Sequence, residues 1–166
     1  MRSGKEARPV ETPAVVWAGD EPVGQLESDP WVRTLRDAFL ALAAATNTVD
    51  FTDGALSATW REDIVQRAAT LARSQLDTDN AYVVLGPRPF TPVEVNVEAG
   101  EVSAEVAVCI EQSLMIEQTP SEERTGVEAR INGLSVGEDG RRRITGSRQP
   151  EDGHTLASGD LFTDAF

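Results

Sequence analysis

The sequence predicts an α+β fold in which a layer of helices packs on one curved antiparallel sheet. Two amphipathic helical stretches lie between Asp29 and Leu76, and strand-like alternation follows from Tyr82 to Thr145. Because amphipathic helices and a one-sided sheet must each bury an apolar face, this order favours helices laid on the sheet. The length of 166 residues is typical of one domain that can bury a core without disulfides or metals. The concave face of such a sheet is a natural place for a ligand or a partner.

Composition divides the chain into three parts. Residues 1–28 hold three prolines and scattered charges without periodicity, which predicts an extended N-terminal arm or linker. Residues 29–146 carry the periodic patterns and form the predicted domain. Residues 147–166 are polar and rich in Gly and Asp, which predicts a flexible C-terminal tail.

Both terminal segments contain apolar residues that are candidates for partner contacts. Trp17 ends a short apolar patch in the arm, and Phe162 and Phe166 lie in the tail. The patch in the arm either folds back on the domain or docks on a partner protein, and the aromatic residues of the tail either anchor it or fill a groove in a partner.

The first helix is predicted directly after Asp29. Asp29 suits the N-cap and Pro30 the first helical position, and apolar residues then recur at helical spacing until near Asn47.

Two further helical segments follow a polar connection. Residues 55–60 are predicted as a short helix, and a longer helix carries apolar residues from Ile64 to Leu76. Thr59 precedes Glu62 at the spacing of a capping box, which predicts that the longer helix starts near Trp60.

The second half of the sequence predicts a meander of strands. The proline-rich run 86–92 excludes a helix and is predicted as a rigid crossing. Alternating valines then predict a hairpin, with one strand from Val93 to Val97 and the other from Val102 to Ile110. Further strands are predicted where Val127, Ala129 and Ile131 alternate with polar residues and after the turn at 138–140.

Charge and composition exclude several classes of function. Fifteen Lys and Arg against 28 Asp and Glu give a net charge of −13, whose field repels nucleic acid and anionic membrane surfaces. The sequence contains no apolar run of about 18 residues, so it predicts no membrane-spanning helix. The basic cluster Arg141, Arg142 and Arg143 is either a solvated strand face or a docking site for an acidic partner.

Sulfur and imidazole ligands are too scarce for a metal centre. Cys109 is the single cysteine, and its place in an alternating run predicts a buried, inert thiol. His154 is the single histidine and lies in the tail. We therefore expect no metal and no cofactor.

Several segments together resemble the actinobacterial NTF2-like (cystatin-like, SnoaL-like) putative lipoproteins. The segments are 29–32, 47–51, 86–92, 106–110 and 140–146, so the similarity covers about 29–146. The resemblance implies a cone-shaped α+β fold, with N-terminal helices against a strongly bent sheet. It also implies a protein that is secreted or lipid-anchored, from a cell, a plasmid or a phage. The chain lacks the lipobox cysteine and the signal of that family, so it is expected at the cell envelope only if such a segment was removed, and otherwise in the cytoplasm or a phage particle.

No complete catalytic set accompanies this fold. An NTF2-like enzyme needs a carboxylate base and a hydrogen-bond donor that stabilises an oxyanion. Asp50 and Asp53 are weak candidates for the base, but Asp in such a run more often forms turns.

Three hypotheses for the function follow. The first is a non-catalytic binding or assembly module that contacts protein partners, or a second copy as a homodimer, through the concave sheet and the terminal arms. The second is a carrier of a small hydrophobic ligand, or a SnoaL- or ketosteroid-isomerase-like enzyme. Its pocket residues would be Trp31, Phe39, Trp60, Tyr82 and Phe90. The third is a structural protein of a phage or a conjugative element.

Overall fold

The computed structural model describes residues 24–77, 87–111 and 127–150. Its helices are α1 (Pro30–Thr48), α2 (Gly54–Thr59) and α3 (Glu62–Asp77), preceded by a 3-10 turn, Gln25–Ser28. Its strands are β1 (Phe90–Val97), β2 (Ser103–Glu111), β3 (Val127–Val136) and β4 (Arg142–Arg148). The strands pair in sequence order as an antiparallel sheet, so the predicted α+β class is confirmed.

Helix α1 begins where the local sequence predicts. The Asp29 carboxylate accepts a hydrogen bond from the Trp31 N–H at 2.8 Å, and Pro30 occupies the first helical position. The helix ends at Val49, which has a left-handed conformation with φ of 55° and donates its N–H to the Ala45 carbonyl. A carboxylate cap therefore satisfies the N-terminal donors, and a left-handed residue ends the helix.

The link between α2 and α3 differs from the predicted capping box. Thr59 Oγ1 donates to the Ala55 carbonyl at 2.8 Å, so its hydroxyl lies on α2 rather than capping α3. Trp60 is extended and forms a parallel bridge with Ile144, while the Arg61 N–H donates to the Ile144 carbonyl at 3.0 Å. Helix α3 therefore begins at Glu62, two residues after Trp60 and without the predicted capping box, because pairing with the edge of β4 holds this link extended.

Strand β1 begins inside the proline-rich run. The prediction of a crossing over 86–92 was wrong for its last residues, since Phe90 and Pro92 pair with β2. Pro92 fits here because β1 pairs on only one side within the described sheet. A register shift between Pro92 and Glu94 then turns Val93 outward, where it is 54% exposed, while Val95 packs against the core. Such a bulge bends the strand and increases its twist.

The core lies between the helices and one face of the sheet, which we call the inner face. Its fully buried side chains are Val32, Leu35, Leu56, Val106, Val108, Leu134 and Ile144. Leu26 of the 3-10 turn packs against this cluster, and β4 continues to Arg148. The packed structure thus includes Leu26 before α1 and the whole of β4.

Candidate functional site

The register of the strands determines which residues share the inner face. On β2 these are Ala104, Val106, Val108 and Ile110, which are at most 3% exposed. On β3 the buried positions are 128, 130, 132 and 134, because burial alternates along the strand. The neighbours across the sheet are therefore Ile110 and Glu128, Val108 and Arg130, and Val106 and Asn132.

Three aromatic side chains form one cluster between α1 and the sheet. The Phe39 ring stacks on Trp60 with centroids 6.2 Å apart and meets Phe90 edge-on at 5.2 Å. Trp60 Nε1 donates to the Ala38 carbonyl of α1 at 2.7 Å, which fixes the indole against the helix. Three of the five predicted pocket residues are thus brought together in an apolar layer.

Of the other two predicted pocket residues, Trp31 has a different neighbour. Trp31 is 3% exposed and packs under the Arg142 guanidinium, whose Cζ lies 4.8 Å from a ring centroid. Tyr82 lies outside the described residues.

A stripe of polar side chains runs along the inner face of β3, and we call it the β3 polar stripe: Glu128, Arg130 and Asn132. These residues are 3%, 6% and 3% exposed. Their neighbours on β2 are apolar, so the stripe brings two charged groups and an amide into the interior. Burying such groups costs free energy unless each finds a partner.

Some hydrogen-bond donors of the β3 polar stripe have no acceptor among the described residues. Arg130 Nε donates to Ser147 Oγ of β4 at 3.1 Å, and within the described part of the chain Arg130 makes no other hydrogen bond or ion pair. Asn132 Nδ2 is buried and has no acceptor among the described residues. The stripe can therefore donate hydrogen bonds to an additional group.

The pattern of apolar residues in β3 did not reveal this stripe. Ala129 and Ile131, which helped to identify the strand in the sequence, lie on the outer face, opposite Cys109 and Ala107. The sequence does show polar residues at alternate positions, but their burial depends on the register with Val106 and Val108.

Both weak candidates for a catalytic base have local structural roles. Asp50 Oδ1 accepts the N–H of Thr52 at 3.0 Å and its hydroxyl at 2.6 Å, which lowers the pKa of the carboxyl. Asp53 caps α2 by accepting the Ala55 N–H at 2.7 Å. Both residues are exposed, and both carboxylates hold turns together.

The three consecutive arginines have three different environments. Arg141 is exposed, Arg142 lies over Trp31, and Arg143 is bound by its neighbours. The Arg143 guanidinium donates to Asp139 at 2.7 and 2.9 Å and to the Ser57 carbonyl at 2.6 Å. These residues do not form one continuous basic patch. The other partner-contact candidates, Trp17, Phe162 and Phe166, lie outside the described residues.

A cleft of about 400 Å³ lies beside the aromatic cluster. Leu26, Glu27, Arg36, Phe90 and Pro92 are among its lining residues. Arg36 donates to Glu27 at 2.6 and 3.0 Å and to the Phe90 carbonyl at 2.9 Å. The charged groups of this cleft are thus engaged with each other and with the backbone.

Neither metal ligands nor a membrane span are found in the part of the chain that the structure describes. No group of three or more His, Cys, Asp or Glu side chains there is arranged to hold a metal ion. Among the same residues, no helix has both the length and the apolar character needed to cross a bilayer.

No protein-family model matches the chain, and no curated protein matches it. One similar solved structure is a designed β-sheet protein studied by solution NMR. It is 15% identical, the match covers 79% of this chain and 98% of the designed one, and the TM-score is 0.37.

Proposed function

We propose that this protein is a non-catalytic ligand-binding domain with an NTF2-like cone, and that it binds a small, largely apolar molecule against the inner face of its sheet. The β3 polar stripe carries the proposal. Glu128, Arg130 and Asn132 are buried beside apolar neighbours on β2. Binding sites for small molecules are mostly apolar with a few placed polar groups, and this face has that composition.

The geometry of the sheet supports a cone. Register shifts occur in β1 between Pro92 and Glu94, and between β3 and β4 at Gly133 and Leu134. Bulges bend a sheet away from the flat form, and the bent sheet has helices on one side. The order of three helices followed by antiparallel strands agrees with the same architecture.

The covering helices favour a small molecule over a protein as the occupant of this face. The apolar residues of α1 and the inner residues of β2 belong to one buried cluster. A protein partner would have to displace α1, whereas a small molecule would contact a much smaller area of this face. Partner contacts of the terminal segments stay a prediction.

The two predicted candidates for a catalytic base do not support catalysis at this face. Asp50 and Asp53 are exposed and occupied by turn hydrogen bonds. A general base must lie within hydrogen-bond reach of its substrate, and neither residue belongs to the inner face.

Binding of the neutral fluorescent probe N-phenyl-1-naphthylamine tests the proposal. We expect saturable binding at one site per chain, with a change in tryptophan emission because Trp60 lies in the aromatic cluster. Val108→Phe fills the inner face, and Ala107→Phe adds the same ring on the outer face of the same strand. The first variant should lower affinity at least about tenfold and the second should leave it unchanged.

Two results would contradict the proposal. One is the absence of saturable probe binding by the wild-type protein. The other is an equal effect of the two phenylalanine variants, since binding would then not depend on the inner face. Ile110→Phe, one row further along β2, replaces Val108→Phe if that variant does not fold.

A further inference from the structure

Resting on the proposed function, we propose that the bound molecule is a monocarboxylic acid whose carboxylate is held by Arg130 and Asn132 and whose apolar tail lies along β2 toward the aromatic cluster.

The donor inventory of the stripe favours a carboxylate. A guanidinium has five N–H donors in a planar fork that matches the two oxygens of a carboxylate. The described structure uses only the Nε of Arg130, which binds Ser147 Oγ. The Nδ2 of Asn132 adds a buried donor that faces no acceptor among the described residues. Arg130 and Asn132 are adjacent on one face of β3, about 7 Å apart along the strand.

The local charge balance makes an anionic group useful at this position. Arg130 is 6% exposed and forms no ion pair with a described residue. Its one hydrogen-bond partner among the described residues, Ser147 Oγ, is neutral, so a bound carboxylate would supply a charge-assisted partner. Binding would thus engage guanidinium donors that have no acceptor among the described residues.

Apolar side chains lead from the stripe toward the aromatic cluster. Val108 is the neighbour of Arg130 on β2, and Pro92 is the neighbour of Val108 on β1. Phe90 lies in the next row and contacts Phe39. A tail that starts at Arg130 and crosses about two strand spacings, close to 10 Å, reaches this aromatic pair.

Two features of the protein disfavour binding of a carboxylate, so a measured preference for a carboxylate ligand would be strong support for the role of Arg130 and Asn132. The net charge of −13 attracts cations to the protein, and Glu128 places a buried carboxylate next to Arg130 on the same face. An ammonium head group bound at Glu128 is therefore the competing outcome.

Three ligands with the same ten-carbon chain separate these outcomes. Decanoate, decanol and decylamine are each titrated against bound N-phenyl-1-naphthylamine at neutral pH. We expect decanoate to displace the probe at about tenfold lower concentration than either of the others, as charge-assisted hydrogen bonds would produce.

Substitutions then assign the preference to the stripe. Arg130→Gln should remove the advantage of decanoate, and Arg130→Lys should restore part of it. Arg148→Gln is the matched control, because Arg148 is also an arginine of the sheet but pairs with Glu105 at 3.0 Å, where both side chains are 49% exposed. Asn132→Asp keeps the shape of the side chain and replaces a donor by an acceptor, so it should shift the preference toward decylamine. Asn132→Asp also replaces Arg130→Gln as the test of the stripe if Arg130→Gln does not fold.

The outcomes distinguish this inference from the proposed function. Probe binding with equal displacement by the three ligands, or with decylamine as the strongest, overturns the carboxylate while the ligand site stands. An advantage of decanoate that survives both Arg130→Gln and Asn132→Asp also overturns it. Absence of probe binding removes the ligand site itself.

Discussion

Arg36 joins three parts of the fold, and its removal should strongly destabilise the domain. Its guanidinium donates to the Glu27 carboxylate at 2.6 and 3.0 Å and to the Phe90 carbonyl at 2.9 Å. Its Cζ also lies 3.9 Å from the centroid of the Phe90 ring. One side chain thus connects the turn before α1, the helix itself and the first strand.

The expected magnitude follows from burial. The side chains of Arg36 and Glu27 are 11% and 16% exposed, so the pair is largely removed from water. Removing one partner of a buried ion pair costs about 3–5 kcal/mol, and the remaining exposure favours the lower end, about 3 kcal/mol, for Arg36→Met. Glu27→Gln should cost about 1–2 kcal/mol because the amide oxygen still accepts a hydrogen bond.

Urea unfolding followed by tryptophan fluorescence measures these free energies, and the double variant gives the coupling between the two side chains. We expect a coupling energy of about 1 kcal/mol or more. Arg61→Met is the control: Arg61 also forms two hydrogen bonds with one carboxylate, of Asp63, but these side chains are 51% and 53% exposed. The urea midpoint of Arg61→Met should stay close to that of the wild-type protein, since exposed ion pairs add little stability. Equal midpoints for Arg36→Met and Arg61→Met would refute the role of burial.

Three further predictions address the core, the thiol and the acid range. Trp60→Phe keeps the aromatic contact but loses the buried hydrogen bond to Ala38, so it should cost about 1–2 kcal/mol in urea unfolding, and an unchanged midpoint would contradict this. Burial raises the pKa of the Cys109 thiol, so iodoacetamide should modify the folded protein more slowly than the urea-unfolded chain near pH 8, and equal rates would show an accessible thiolate. The Arg143 guanidinium holds the pKa of Asp139 well below its usual 3.8, so an NMR titration should find this carboxylate still ionised below that pH. The stability that it contributes is present above 3.8 and lost as the pH falls further, and Arg143→Gln should return the pKa toward its usual value.

Local sequence signals predicted the elements whose causes are themselves local. Asp29 and Pro30 determine the start of α1 because capping and proline geometry involve only the first turn. The hairpin of β1 and β2 follows from alternating valines and the turn at Gly100, whose φ of 91° suits glycine. Thr59 shows where such reasoning fails, because pairing of the next residue with Ile144 outweighed a matching capping-box spacing.

The candidate site could be predicted only in part. Phe39, Trp60 and Phe90 were predicted as pocket residues, and the structure brings their rings into contact. Arg130 and Asn132 were missed because polar residues in a strand are normally assigned to the solvent side. Their burial has no signal in the sequence of β3 alone.

By itself, the sequence determined the α+β class, the order of helices before strands, and the start of α1, because periodicity and capping act over a few neighbouring residues. Only the tertiary structure decided which face of β3 is covered. Because side chains alternate along a strand, the sequence shows which residues share a face. Which of the two faces is buried depends on the partner strand and on the helix that packs against it. The register that pairs Val106 with Asn132 and Val108 with Arg130 therefore turned an ordinary polar alternation into the buried β3 polar stripe.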